Sequence, residues 1–197
     1  MTGAETYPIR RRLAAARILE GQDRLLVVAG LGSTAWDITA AGDRALNFPL
    51  WGAMGGAVPL GLGLALAQPR RRVVVLTGDG EMLMGLGSLA TVAVQAPENL
   101  AICVFDNERY GETGMQETHT AGGADLASIA AGCGIPVTGL ITTPDGLDRA
   151  LGTIRETPGP VFQAIKVRAE ALDFALPPKD GVTLKDRFRE ALLGRQD

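Results

Sequence analysis

Two short segments of this chain carry residues suited to one piece of chemistry. The strand-like run RVVVLT (72 to 77) leads into Gly78-Asp79-Gly80, and the run NLAICVF (99 to 105) ends in Asp106-Asn107. Asp79 and Asn107 thus emerge at the carboxyl ends of consecutive parallel strands, which is where α/β sheets bind ligands. A carboxylate and an amide oxygen are hard donors that suit an octahedral Mg²⁺. The glycines beside Asp79 let a phosphate approach backbone N–H groups at the start of a helix expected near Met82. Together these features describe a metal-bridged diphosphate site. Each residue also has a structural reading, Asp79 as a helix cap and Asn107 as a turn residue. Their occurrence together at this spacing favours the site.

A second glycine cluster, GLGSTA at 30 to 35, follows a strand and reads as G-x-G-x-x-A, a weak form of the dinucleotide fingerprint. That fingerprint should feed a helix and then a strand ending in an acidic residue. The stretch that follows, AAGDRALNFPLWGAMGG (40 to 56), reads as no strand. A tight turn at a strand end is therefore the expected role of GLGSTA.

These segments require a sheet to hold them. The β-branched runs LLVVA (25 to 29), RVVVLT, NLAICVF, PVTGLI (136 to 141) and PVFQAIKV (160 to 167) alternate with helical stretches rich in small residues. The pattern predicts an α/β fold with an open, mostly parallel sheet of five to six strands and helices on both faces. Helices are expected at 9 to 20, just after Ser33, and at 57 to 68, 84 to 95, 125 to 134 and 145 to 156, with Asp125 and Asp145 as N-caps. No repeat or linker divides residues 1–197, which read as one domain. An N-terminal helix lies within 1–24 and the core within 25–172, while 173–197 hold a Pro-marked connector and a final amphipathic helix near 183 to 193.

Composition excludes several functions. The net charge is -3, and the nine aromatic residues are not interleaved with Lys or Arg as a nucleic-acid stacking surface requires. No apolar run reaches the roughly 18 residues of a membrane span. The opening residues show no secretory signal core, so a cytoplasmic protein is expected. Cys103 and Cys133 are too few for a metal cluster and read as buried thiols. The 26 glycines, about twice the usual share of roughly 7%, imply close approach of backbone to something.

The arrangement GDG, 25 residues (81 to 105), then DN resembles the GDG...NN signature of thiamine diphosphate enzymes. Residues 47 to 93 are similar to the matching stretch of their diphosphate-binding domain. The motif DN-x-x-Y-G-x-T-G-x-Q at 106 to 116 and the terminal LKDRFREALLG resemble the branch of sulfopyruvate and phosphonopyruvate decarboxylases.

This resemblance implies thiamine diphosphate and Mg²⁺ as cofactors. Asp79, the Asn107 side chain and the backbone carbonyl of Arg109 would hold the metal. Gly78, Gly80 and Glu81 would lie along the diphosphate, with Gly32 and Ser33 touching it from an earlier loop. Tyr110 and Gly111 would belong to the cofactor-binding loop. The Gly52 carbonyl would accept from the aminopyrimidine, and Met54 would prop the cofactor in its bent shape, although Met54 could equally be core filler. Glu81 departs from the family pattern, because a carboxylate beside the phosphates would repel them. It is expected to offer only its N–H and turn its side chain away, or to face a basic group of a partner.

His119, the only histidine, lies in a glycine-rich loop (108 to 123) and is a candidate acid or base, with an exposed loop histidine as the competing reading. Arg109, Tyr110, Thr113, Gln116 and His119 are candidate contacts for a substrate sulfonate or phosphonate. In the family, the glutamate that activates the cofactor sits on a separate pyrimidine-binding domain. The resemblance therefore implies a heteromer that acts on a small 2-oxo acid and releases CO₂ and an aldehyde. A carboligase of the acetolactate type, a 2-oxo acid oxidoreductase subunit and a non-catalytic binding module are the alternatives.

Overall fold

A computed structural model describes residues 3–194. Five of its six main strands are the apolar runs: β1 (Leu26–Ala29), β3 (Val73–Gly78), β4 (Leu100–Asp106), β7 (Val137–Ile141) and β8 (Val161–Lys166). The sixth, β2 (Asn47–Pro49), lies in the stretch expected to hold no strand. It is a three-residue edge paired in parallel with β1, too short and too interrupted by Pro49 to show a period in the sequence. The sheet is parallel throughout, in the order β2-β1-β3-β4-β8-β7.

The chain steps from β1 outward to β2, then crosses back to place β3 on the other side of β1. That reversal opens a crevice beyond the carboxyl ends of β1 and β3, the usual ligand position in such sheets. Both glycine clusters meet there, GLGS after β1 and GDG after β3.

Alternate residues of each strand feed separate cores. Leu26, Val28, Val73, Val75, Leu100, Ile102 and Val104 pack on one face, and Val27, Ala29, Val74, Leu76, Ala101 and Cys103 on the other. Burial on both faces explains why the strands read as unbroken apolar runs. One face is covered by α3 (Ala57–Ala67), α5 (Ser88–Gln95), α6 (Leu126–Gly132) and α8 (Gly181–Leu193). The other is covered by α1 (Arg11–Leu19), α2 (Ser33–Ala40) and α7 (Pro144–Glu156).

Helix α3 lies so close to β3 that a Cβ at Gly61 would fall 2.2 Å from Val75 Cγ2. Gly61→Val is expected to cost about 2–3 kcal/mol through overpacking, read by urea unfolding. A loss under about 0.5 kcal/mol would show that Val75 swings aside.

Several boundaries differ from expectation. The helix after GDG begins at Asp79 itself (α4, Asp79–Met84), and Gly85 to Gly87 break it from α5. Asp125 caps α6 as expected, its carboxylate accepting from the Ala127 and Ser128 N–H groups. Asp145 caps nothing. Pro144 at the first turn of α7 moves the N-cap two residues earlier than read, to Thr143, whose hydroxyl accepts from the Gly146 N–H. The loop at 108 to 123 contains a short hairpin, β5 (Arg109–Tyr110) against β6 (Gln116–Glu117). Cys103 is buried, whereas Cys133 is only half-buried. Among the described residues no helix is long and apolar enough to cross a membrane.

Candidate functional site

A cavity of about 380 Å³ fills the crevice beyond β1 and β3. Its wall joins four chain segments that are remote in sequence, at 31 to 34, 52 to 54, 78 to 81 and 105 to 113, together with Arg11 and Val167. The N-termini of α2 and α4 both open on it, placing partial positive charge where an anion would lie.

Asp79 lines this cavity and is 2% exposed. Its Oδ2 accepts hydrogen bonds from the Thr118 hydroxyl at 2.5 Å and the Thr120 hydroxyl at 3.2 Å. Burial pushes its pKa up to about 6; the Thr118 hydrogen bond opposes this and the nearby Asp106 carboxylate adds to it. No lysine or arginine forms an ion pair with Asp79 among the described residues. A buried carboxylate without a cation is costly, and a divalent metal at the cavity would supply the missing charge. Asn107 lines the same cavity, its Oδ1 accepting from the Arg109 N–H at 3.0 Å and keeping a second lone pair for a ligand. The donor set therefore fits a hard cation.

The surrounding glycines fit a diphosphate. Gly78 bears on open space, and Gly80 lies beneath the Tyr110 ring, where a Cβ would come within 2.5 Å of Cε1. Gly111 lines the cavity opposite Ser33. Gly32, at φ 70°, is crossed by the Glu112 carboxyl group, whose Oε1 would lie 2.6 Å from a Cβ there. Burial raises the Glu112 pKa, and Arg11 opposes the rise.

Gly52 and Met54 sit on the loop before α3, both exposed to the cavity. Met54 is 37% exposed and so is not core filler. This loop is pinned to the end of α4 by backbone contact, because a Cβ at Gly85 would fall 2.5 Å from the Gly55 oxygen.

Glu81 turns its side chain inward. Oε2 accepts from the Thr77 hydroxyl at 2.8 Å and lies over Gly30, where a Cβ would be only 1.6 Å away. Oε1 is buried and makes no hydrogen bond of normal geometry. Burial raises the Glu81 pKa, opposed first by Thr77 and then by the nearby N–H groups of Ala57 and Gly55. Glu81 thus joins the ends of β1 and β3.

The sequence-derived residues divide clearly. Ser33, Gly52, Met54, Gly78, Asp79, Gly80, Glu81, Asn107, Arg109, Tyr110, Gly111 and Thr113 all line the cavity, whereas Gly32 lies outside its lining, beneath the Glu112 carboxyl group. Gln116 faces solvent and bonds Thr113. His119 is exposed and stands outside the cavity lining, in the turn after β6, where its neighbours Thr118 and Thr120 are buried and bond Asp79. Those two threonines were missed, as was Arg11, which reaches the cavity from α1 while its guanidinium bonds Asp37 and the Ser33 carbonyl. Alternation around His119 was the available signal for the threonines; nothing local marked Arg11.

Residues 30–165 match the family model described as thiamine pyrophosphate enzyme, C-terminal TPP binding domain. The chain is 33% identical over 188 residues to the sulfopyruvate decarboxylase subunit beta of Methanocaldococcus jannaschii, covering 94% of this chain and 98% of that protein. It is 42% identical over 153 residues to the phosphonopyruvate decarboxylase of Streptomyces viridochromogenes, covering 78% of this chain but only 38% of that longer enzyme. An X-ray structure of a Mycobacterium smegmatis protein titled as thiamin diphosphate-dependent superposes with a TM-score of 0.69 at 25% identity, covering 83% of this chain and 32% of that one. With the matched segment running from the first glycine cluster into β8, the chain belongs to the thiamine pyrophosphate enzyme family and matches its C-terminal TPP binding domain.

Proposed function

We propose that this chain is the thiamine diphosphate- and Mg²⁺-binding subunit of a heteromeric 2-oxo acid decarboxylase of the sulfopyruvate or phosphonopyruvate type. The observation that carries this reading is the buried Asp79 carboxylate, left without a cation at a glycine-walled cavity. Similarity to a separate beta subunit over 98% of that subunit's length supports the assignment to a subunit.

In this reading Asp79, the Asn107 oxygen and the Arg109 carbonyl hold Mg²⁺, and Gly78, Gly80 and the α4 N-terminus receive the diphosphate. Gly32 and Ser33 meet it from the α2 side, with Tyr110 and Gly111 closing the hairpin side. Gly52 and Met54 orient the cofactor ring from the loop before α3. Bound thiamine diphosphate supplies the electron sink for loss of CO₂ from the 2-oxo acid. The chain's own residues anchor the cofactor and wall off water, and a partner subunit contributes the activating glutamate. Arg109 and Thr113 stand on the hairpin side of the cavity, but the Arg109 guanidinium is paired with Glu5 and Glu117, so an anionic substrate tail entering there would have to displace one of these carboxylates.

Native mass spectrometry of the protein purified from its source cells with Mg²⁺ retained tests the assembly. A complex of this chain with a second polypeptide and bound thiamine diphosphate is expected; a cofactor-free homomer would overturn the reading. The same preparation is expected to release CO₂ and an aldehyde from sulfopyruvate or phosphonopyruvate. Acetolactate formed from pyruvate as the main product would move the assignment to a carboligase.

A further inference from the structure

Parallel pairing of β4 with β8 sets Lys166 beside Asp106. The Lys166 side chain is 16% exposed, and its ammonium forms two ion pairs, with Asp106 Oδ2 at 2.8 Å and with Glu108 Oε1 at 2.7 Å. One cation therefore grips the residues on both sides of Asn107. Glu108 is also fixed by the Tyr7 hydroxyl, which donates to the same Oε1 at 2.5 Å.

Glu108 lies in the left-handed region, at φ 60°. A non-glycine residue held there is strained and persists only where its surroundings over-determine it. Here they do. The Asp106 carboxylate accepts from the Glu108 N–H at 3.2 Å and Asn107 Oδ1 from the Arg109 N–H at 3.0 Å, while Lys166 and Tyr7 hold the Glu108 side chain. Asp106 Oδ1 further accepts from the Thr120 hydroxyl at 2.7 Å, and that hydroxyl reaches Asp79. A continuous polar chain thus runs from Tyr7 through Glu108, Lys166, Asp106 and Thr120 to Asp79.

We propose that Lys166 is a positioning residue for the cation site: by clamping Asp106 and Glu108 together it fixes the left-handed turn that holds Asn107 and Arg109 against the cavity, with Tyr7 as its outer lock. This rests on the reading that Asp79 and Asn107 hold a divalent cation with the diphosphate. Lys166 itself lies outside the cavity lining.

The electrostatic sign makes the idea testable. Removing a positive charge near a cation site should, by charge alone, tighten metal binding. A positioning residue gives the opposite result, and loss of such outer partners typically weakens metal affinity about 10–100-fold.

The test is Mn²⁺ binding to the complex purified from source cells, followed by the electron paramagnetic resonance of free Mn²⁺ with thiamine diphosphate present. Lys166→Met is expected to raise the Mn²⁺ Kd about tenfold or more, with Lys166→Arg recovering most of the affinity and Tyr7→Phe weakening it about two- to threefold. Because Lys166→Met strands a buried carboxylate and can unfold the chain, the charge-neutral pair Asp106→Asn with Lys166→Met is made as well. That double variant is expected to fold with the parental near-ultraviolet circular dichroism yet still bind Mn²⁺ weakly, since Glu108 is released. Parental or tighter binding in the folded double variant, or affinity that merely tracks Tm across the set, would overturn the proposal. Absence of Mn²⁺ binding by the parental complex would instead defeat the underlying cation-site reading, a result visible before any variant is compared.

Discussion

Asp79→Asn is expected to abolish cofactor-dependent activity and cation binding, with a loss of at least about 100-fold, beyond the ~10–100-fold typical of residues that only support a metal ligand. Its effect on stability runs the other way. The Asp79 pKa stands at about 6 against an ordinary 3.8, because burial disfavours the charged form. The folded chain therefore binds this proton more tightly than the unfolded chain does. In the absence of metal, this group makes the protein most stable below about pH 4, and that contribution is lost as pH rises through about 6. At pH 7 the charge costs up to about 3 kcal/mol. Asparagine removes the charge while keeping an oxygen for Thr118 and Thr120.

The metal-free Asp79→Asn chain should thus melt several degrees above the parent at pH 7, at ~2–4 °C per kcal/mol, and show less gain on acidification. Adding Mg²⁺ and thiamine diphosphate should reverse the order, by stabilising only the parent. Differential scanning calorimetry at pH 5 and 7, with and without both additions, reads four values for each of the two chains. A metal-free variant less stable than the parent at pH 7 would show that Asp79 serves the fold, while retained cofactor binding would remove it from the site.

The second large effect is expected at Asp37, which is 0% exposed beneath the α1–α2 contact. Its carboxylate accepts from Arg11 Nη1 at 2.5 Å and Arg12 Nε at 3.2 Å. Arg12 is held additionally by the Asp173 carbonyl, whereas Arg11 is buried and has no other carboxylate in ion-pair range among the described residues. Asp37→Ala leaves the Arg11 guanidinium buried with only the Ser33 carbonyl as a hydrogen-bond partner and Glu112 beyond ion-pair range, at a cost of about 3 kcal/mol. That corresponds to a fall in Tm of roughly 10 °C for a chain of this size. Replacing both partners, Arg11→Met with Asp37→Leu, should recover most of the loss, because two apolar groups need no pairing.

The damage should reach function. Arg11 also bonds the Ser33 carbonyl at the start of α2, so loosening α1 frees one wall of the cavity. Urea unfolding of the three chains measures the cost. A loss below about 1 kcal/mol for Asp37→Ala would mean that water reaches Arg11 in the variant.

Local sequence determined a great deal about this protein. The five long apolar runs are strands because both their faces are buried, and this makes their composition uniform and easy to read. The glycines of GDG, with Asp79 and Asn107 at successive strand ends, pointed to the residues that line the cavity, because close approach of backbone and hard oxygen donors are properties of residue type. Asp125 was legible as a cap since capping acts within three residues. Thr143 was not, because the choice between Thr143 and Asp145 depends on where Pro144 starts the helix.

Tertiary structure alone decided the rest, since those features depend on residues far apart in the chain. The short edge β2 exists only through its pairing with β1, and the crevice exists only because β3 returns to the other side of β1. Glu81 turns inward because Gly30, about 50 residues earlier in the sequence, leaves space for it. His119 faces solvent because Thr118 and Thr120 close on Asp79. Lys166 meets Asp106 through the register of β4 with β8, and Arg11 reaches the cavity through the packing of α1 on α2. Residue types announce the donors a site can use; the register of strands and the packing of helices decide which of them meet.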